Sequence, residues 1–327
     1  MRRLIKFAHP TYQLILMTFS LFFIFFSIKS RIKDFFSTDK VPTIVYEKNI
    51  NKNIKTGFYV KNFLEFDIVA NKFILDGVIW FRSELGSENF LDKFSVGKGT
   101  LLYKSDPIIE TFEDQKIYRY DVKIDFPANL TYKYFPLSDH VISFVVSNPI
   151  LSAQGFNLEC LAEDFKISPT LYVDGWHLSK EEVKSGTEKL PIFTKNTGNS
   201  RLVFSLSFKQ ISKRTFVLIL FPLLVGLLLA FLAFSVDILR FSSVLSLSTA
   251  SISSIIGYRF VMESMSPKVS YFMFSDVFFL LILFFTCLTF FINVFYREQI
   301  SNIIDWLVLF LYLSFVGSWY LFLTIWF

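Results

Sequence analysis

The sequence predicts a membrane protein in two parts, an extracytoplasmic β-sandwich domain followed by an all-α bundle of four transmembrane helices. Hydrophobic residues make up 53% of the 327 residues, and Phe alone occurs 43 times. A soluble domain cannot bury that much apolar surface, so lipid must cover part of it. Long apolar runs are concentrated in the last third of the chain, whereas the middle carries short strand-like segments.

Residues 1–30 are predicted to be a signal anchor or a signal peptide. The apolar run 14–28 follows three basic residues, which is the layout of an export signal. The run ends in Ser27-Ile28-Lys29, which offers no good small-residue cleavage site, and this favours a retained anchor over a cleaved peptide. Either alternative exports the residues that follow.

Residues 40–213 are predicted to form the β-sandwich. The segments 73–82, 141–146 and 202–208 are rich in β-branched and aromatic residues, and the last alternates apolar residues with serine. Such alternation is typical of a strand with one buried face. Short strands separated by Asn, Asp, Gly and Pro favour a sandwich over a helical domain.

Residues 214–327 are predicted to form the four membrane helices, at 216–236, 242–261, 271–295 and 306–327. A run of about 20 apolar residues crosses a bilayer core of roughly 30 Å. Arg240 and Arg297 on one side balance Arg259 and Lys268 on the other, so the orientation rests on the exported amino terminus. The expected location is the cell (inner) membrane, as a multi-pass protein in the lipid bilayer with an extracellular or periplasmic β-domain.

Several classes of function find no support in the sequence. The net charge of +5 is small and scattered, which argues against nucleic acid as a partner. The two cysteines, Cys160 and Cys287, and the three histidines have no metal-ligand spacing. Phosphate-binding and catalytic motifs are not found either, so neither an enzyme nor a cofactor is expected.

The second apolar run is unusually polar for a membrane helix. At about 100° per residue, a set of its side chains falls on one face. In chain order these are Ser242, Ser246, Thr249 and Ser253, followed by Ile256 and Phe260. A hydroxyl-lined stripe that ends in bulky apolar residues suits a water-filled pore with a hydrophobic constriction. Ser and Thr also mediate ordinary helix packing in membranes, so both interpretations stay open.

Charged residues lie at both ends of this run. Asp237 and Arg240 precede it, whereas Arg259 and Glu263 lie at its far end. These side chains suit the mouths of a pore, where they would tune ions, and equally the headgroup region, where they would anchor the helix ends.

The order of parts resembles the pentameric ligand-gated ion channels of the Cys-loop receptor superfamily, particularly the bacterial proton-gated members. The likeness covers residues from about 55 to 327. It is carried by Tyr134-Phe135-Pro136-Leu137-Ser138-Asp139-His140, Gly175-Trp176-His177-Leu178, Leu220-Phe221-Pro222, Phe231-Leu232-Ala233-Phe234, and Ser266-Pro267-Lys268-Val269-Ser270-Tyr271 with Asp276.

The resemblance implies a homopentamer whose second helices ring an ion pore that protons or a small ligand open from the outer domain. It assigns the coupling of the two parts to Phe135, Pro136, Asp139, Pro267, Lys268 and Tyr271. The chain departs from the family pattern where Ser138 replaces an aspartate and Leu239 replaces the glutamate of cation channels. Thr249 replaces an apolar gate residue, which makes Ile256 and Phe260 the gate candidates.

The same resemblance places a ligand site between subunits, beneath a loop at about 184–200. Trp80, Phe81 and Trp176 are its aromatic candidates for binding a small ligand, although a core role is the alternative for each. His140 is the candidate proton sensor, because imidazole titrates near neutral pH and His140 lies in the coupling loop. An ordinary surface histidine is the alternative for this residue. The alternative to a channel is a non-conducting membrane-anchored receptor of the same architecture that acts through a partner.

Overall fold

The computed structural model describes residues 8–31, 39, 41–42, 52–84, 88–112, 115–153, 155–188, 199–211, 214–237, 239–299 and 303–326. The chain divides into two compact units. The β unit contains Ser37–Thr131 and Asp139–Ser212, and the helical unit contains Met1–Phe36, Tyr132–Ser138 and Lys213–Phe327.

The β unit is built from two sheets. Its strands are β1 Lys52–Asp67, β2 Lys72–Glu84, β3 Ser95–Gly97, β4 Thr100–Lys104, β5 Ile108–Phe112, β6 Gln115–Phe126, β7 His140–Ser147, β8 Phe156–Glu159, β9 Phe165–Ile167, β10 Trp176–Glu188 and β11 Asn199–Gln210. One sheet has the order β4-β6-β2-β1-β8, with β5 also paired to β6 and β9 to β1, and the other has the order β10-β11-β7-β3. Two short helices, α2 Glu88–Leu91 and α3 Pro149–Ala153, lie between strands.

Aromatic side chains from the two sheets meet in the core of the β unit. The ring centroid of Phe58 on β1 lies 5.1 Å from that of Phe144 on β7 and 5.3 Å from that of Phe204 on β11. All three side chains are buried. Side chains of these three strands therefore meet between the two sheets, as in a sandwich. The predicted strands 73–82, 141–146 and 202–208 are confirmed within β2, β7 and β11.

The helical unit contains α1 Pro10–Arg31, α4 Arg214–Leu232, α5 Phe241–Met265, α6 Phe274–Phe291 and α7 Ile304–Trp326. A 3₁₀ turn, Ala233–Ser235, extends α4, and a π-helical turn, Ile292–Tyr296, extends α6. Among the described residues, α4 to α7 with these extensions are each long and apolar enough to cross a membrane. The predicted fold class, a β-sandwich followed by four such helices, is confirmed, and it indicates a multi-pass membrane protein.

Helices α4 and α5 approach each other closely, and the sequence of α4 explains how. Pro222 lacks a backbone N–H, which leaves the carbonyl of Leu218 one turn earlier without its helical partner. The Tyr258 hydroxyl of α5 donates a hydrogen bond to that carbonyl. One turn further, a Cβ on Gly226 would lie 2.7 Å from Cγ1 of Ile255, so glycine permits the approach.

Helix α6 begins three residues later than the apolar run predicts. The Asp276 carboxylate accepts a hydrogen bond of 2.9 Å from the backbone N–H of Met273, just before the helix. A carboxylate in the first turn satisfies free N–H groups and complements the helix dipole. Polar capping, which hydropathy does not register, therefore sets this boundary.

The segment Tyr132–Ser138 belongs to the helical unit, although its neighbours in the chain on both sides belong to the β unit. The Tyr132 N–H donates a 2.9 Å hydrogen bond to the Tyr271 hydroxyl. The backbone N–H of Phe274 donates to the Lys133 carbonyl at 2.9 Å. This segment is thus bonded to the residues that lead into α6.

Candidate pore-lining surface and gating residues

The predicted hydroxyl stripe of α5 lies on its exposed surface. All six candidates, Ser242, Ser246, Thr249, Ser253, Ile256 and Phe260, are exposed in the single chain. Phe260 is 72% exposed and Ile256 48%. The Thr249 hydroxyl donates to the Leu245 carbonyl of its own helix at 2.7 Å, which partly satisfies that side chain.

The side of α5 that packs within the chain carries a different set of residues. Its buried residues are Val244, Ser248, Ser251, Ile255 and Met262. At about 100° per residue, the centre of this packed face and the centre of the stripe lie roughly 150° apart. The stripe therefore points almost directly away from the helices that α5 contacts in its own chain.

Arg259, predicted as a mouth charge, is paired within the chain. Its guanidinium lies 2.6 Å from the Asp276 carboxylate of α6 and 3.0 Å from the Glu263 carboxylate one turn later. On the helical wheel Arg259 lies beside the packed face, and its charge is directed towards α6 rather than along the stripe. Glu263 itself is exposed.

At the other end of α5, Asp237 and Arg240 are both exposed. The Asp237 carboxylate accepts a 3.2 Å hydrogen bond from the backbone N–H of Leu239, and the Asp237 carbonyl accepts one from the Arg240 N–H at 3.0 Å. The connection from α4 to α5 is therefore a tight turn with one charge of each sign on its surface.

Arg297 has a structural role that sequence reasoning missed. It is only 6% exposed, and its guanidinium donates to the carbonyls of Ala233 at 2.8 Å, Phe234 at 3.2 Å and Val236. It also donates to the Asn293 side chain at 2.6 Å. A cation thus satisfies the free carbonyls at the end of α4. The spacing of four residues from Asn293 was the one available signal.

The structure brings some of the predicted coupling residues together. Phe135 and Pro136 are buried in the Tyr132–Ser138 segment, and the Ser275 N–H of α6 donates to the Phe135 carbonyl at 3.3 Å. Tyr271 bonds the same segment through its hydroxyl. In the turn before α6, Pro267 is buried and Lys268 is exposed.

Asp139, the remaining coupling candidate, lies in the β unit. Its carboxylate accepts a 3.0 Å hydrogen bond from the backbone N–H of Gln210, at the end of β11. Asp139 therefore joins the start of β7 to the end of β11.

The three aromatic ligand candidates do not converge within one chain. Phe81 is fully buried in the core against Phe94, at 5.4 Å between ring centroids. Trp80, its neighbour on β2, points to the opposite face, where its ring covers Gly57 across the sheet. Trp176 lies on the other sheet. Most of the loop predicted to cover the ligand site, 189–198, lies outside the described residues.

His140 is a buried residue of the β unit, not the surface histidine that was its alternative. Its Nδ1 lies 3.2 Å from the Asp39 carboxylate, and both side chains are 1% exposed. The same carboxylate accepts the backbone N–H groups of Thr131 at 2.6 Å and Val141 at 2.8 Å. The ring centroid of His140 is 5.8 Å from that of Trp176.

No model of a known protein family matches this chain, and no curated protein matches it in sequence. The architecture, a β unit with four helices able to cross a membrane, is compatible with a membrane receptor or channel.

Proposed function

We propose that this protein is a subunit of a homo-oligomeric ion channel in which α5 lines a water-filled pore. The resemblance to pentameric ligand-gated channels implies five copies and opening by protons or a small ligand at the β unit. The observation that carries the proposal is the hydroxyl stripe of α5, which faces away from the helices of its own chain.

The exposed surfaces of α4, α6 and α7 differ from that of α5, and this difference supports the assignment of α5 to the pore. Large aromatic side chains point outward from α4, α6 and α7, as Phe221, Phe284 and Phe310 show at 59, 60 and 64% exposure. Such surfaces suit lipid. A hydroxyl gains nothing from hydrocarbon, whereas water or a second copy of the chain offers it hydrogen bonds.

The extent of packing points the same way. In the 18-residue apolar stretch of α4, 56% of the residues are buried within the chain, whereas in that of α5 only 22% are. Helix α5 is also the least hydropathic of the four. A helix with few residues buried within its own chain and with a polar exposed face suits a position around the central pore of an oligomer.

Ile256 and Phe260 supply the constriction in this proposal. They continue the hydroxyl stripe towards the Arg259 end of α5, and both are exposed. Apolar rings around a narrow pore exclude water and so block ions without a plug. A conformational change that widens this ring would rewet the pore.

Planar-bilayer recording of the purified protein tests the proposal, with pH on the β-unit side stepped from about 7.5 to about 4.5 across the range in which histidine titrates. Unitary currents that appear on acidification are the expected result. A mass measurement in the same detergent should give five chains. Silence at every pH, together with a monomer, would instead favour the non-conducting receptor.

Cysteine substitution tests which face of α5 meets water. In a Cys287→Ser background, Ser246→Cys and Ser253→Cys should be modified by a charged thiol reagent and lose current. Ser248→Cys and Ser251→Cys are matched controls, because the native side chains are buried against the same chain. Equal modification of the two pairs would contradict the assignment of the pore face.

Two further variants test the gate and the sensor. Phe260→Ala should raise the current at resting pH, because it removes the largest apolar side chain of the constriction. His140→Gln should shift the pH at which current appears, whereas His177→Gln, at an exposed position, should leave it unchanged. An unchanged leak refutes the gate, and an unchanged pH response refutes the sensor.

A further inference from the structure

Helix α1 has two faces of opposite character. Its buried side chains recur at intervals of three and four residues: Gln13, Met17, Ser20, Ile24 and Ser27, each at most 7% exposed. Most of its exposed side chains are large and apolar, and five of them, Leu14, Ile15, Phe19, Phe22 and Phe26, are each at least 49% exposed. A helix on a soluble domain shows the reverse pattern, with apolar residues inward and polar residues outward.

This inverted pattern fits a helix that packs against other helices inside a bilayer. Membrane helices associate through small and polar residues, because lipid covers apolar side chains as well as a neighbouring helix does. Ser20 and Ser27 are small, buried side chains of α1, which contacts α4 and α7. Phe19, Phe22 and Phe26 are left for lipid.

The amino-terminal end of α1 is held by hydrogen bonds to both of these helices. The Ala8 N–H donates to the Asp305 carboxylate in the first turn of α7 at 2.7 Å, and the Ser235 hydroxyl after α4 donates to the Ala8 carbonyl at 2.5 Å. The Gln13 amide also donates to the Ala8 carbonyl at 3.2 Å. About two turns further along α7, the Tyr312 hydroxyl donates to the Gln13 carbonyl at 3.4 Å.

These contacts fix the direction of α1. Ala8 lies beside the end of α4 and the beginning of α7, so α1 runs antiparallel to α4 and parallel to α7. Its 22 residues span about 33 Å, enough for the bilayer core. Basic residues precede it at positions 2, 3 and 6, as the positive-inside rule requires for an amino terminus that stays in the cytoplasm.

We infer that α1 is a fifth transmembrane helix, retained in the mature protein and docked permanently against α4 and α7. A signal peptide that is cleaved does not need side chains complementary to the helical bundle. In α1, by contrast, small and polar residues lie against the bundle and aromatic rings lie outside. The Ala8 contacts with Ser235 and Asp305 hold it at the end where α4 turns into α5.

The test uses the full chain with an epitope before Met1 and a site-specific protease sequence inserted within residues 43–50, between α1 and β1. The mass of the purified protein should include the epitope. After cleavage in mild detergent, the α1 fragment should co-elute with the rest of the protein in size-exclusion chromatography. A purified protein without the epitope, or a fragment that elutes alone, overturns the inference.

Matched variants test the docking face itself. Ser20→Leu places a large side chain against the bundle and should lower the co-eluting fraction several-fold. Thr18→Leu, at an exposed position of the same helix, should leave it unchanged. Equal behaviour of the two variants refutes the packing.

A second pair serves if Ser20→Leu does not fold. Asp305→Ala removes the acceptor of the Ala8 N–H, whereas Asp305→Asn keeps an oxygen there. The alanine variant should release more α1 fragment than the asparagine variant. Equal release would refute the role of the hydrogen bond between Ala8 and Asp305 in holding α1. None of these measurements depends on ion conduction, so the inference and the proposed function can fail separately.

Discussion

Replacing Arg297 with methionine should destabilise the helical unit more than any other single removal of charge at this end of the bundle. The substitution keeps an unbranched apolar stem and removes four hydrogen bonds, three of them to carbonyls at the end of α4. Each bond from a charged donor contributes roughly 1.5–3 kcal/mol when measured alone, and such values do not add. A loss of about 3 kcal/mol is therefore the expected scale, since the carbonyls regain some bonds from water.

Thermal unfolding in detergent, followed by tryptophan fluorescence, measures this loss. For a unit of this size, about 3 kcal/mol corresponds to a fall in Tm of roughly 6–12 °C. Arg297→Lys should fall between the methionine variant and the parent, because an ammonium keeps the charge but reaches fewer of the carbonyls. A methionine variant within about 2 °C of the parent would refute the capping role.

Arg240→Met is the matched control for Arg297→Met. Arg240 is exposed at the start of α5, only a few residues from the carbonyls that Arg297 binds. Its loss should change the free energy of unfolding by no more than about 0.5 kcal/mol. Equal effects of the two substitutions would show that general charge, and not the hydrogen bonds, is responsible.

Two further predictions concern packing and pH. Gly226→Ala should cost about 1–3 kcal/mol, because the new methyl would lie 2.7 Å from the Ile255 side chain, whereas Gly257→Ala meets open space and should be neutral or stabilising; equal Tm values would contradict the close approach. Burial raises the pKa of the Cys160 thiol from its ordinary 9.0 to about 12, so the unfolded chain loses this proton first and stability should fall as pH rises above about 9. Cys160→Ser should flatten that fall in unfolding measured against pH, and an unchanged slope would assign it to other groups.

The features that sequence reasoning predicted are those that depend on local periodicity. The four apolar helices and the strands β2, β7 and β11 follow from hydropathy and alternation over about ten to twenty residues. The exposed stripe of α5 follows from the 100° rotation per residue, because the same arithmetic separates Ser246 and Ser253 from the buried Ser248 and Ser251.

The features that sequence reasoning missed depend on partners far away in the chain. Asp39 and His140 are 101 residues apart, and Arg297 binds carbonyls more than 60 residues earlier. Nothing in either neighbourhood marks such a pair. With 43 Phe residues in the chain, aromatic character also did not separate a core side chain such as Phe81 from one that contacts a ligand.

During synthesis, the segment Tyr132–Ser138 is made long before the residues that it packs against. Its hydrogen-bond partner Tyr271 is 139 residues further along the chain, so the ribosome releases the segment well before that partner exists. At about 5–20 residues per second, the delay is roughly 7–28 s. During that time Phe135 and Pro136 have no helical surface to cover them. A fragment that stops before α4 would keep them in that state, so we expect it to aggregate or to need a chaperone, unlike the full-length chain.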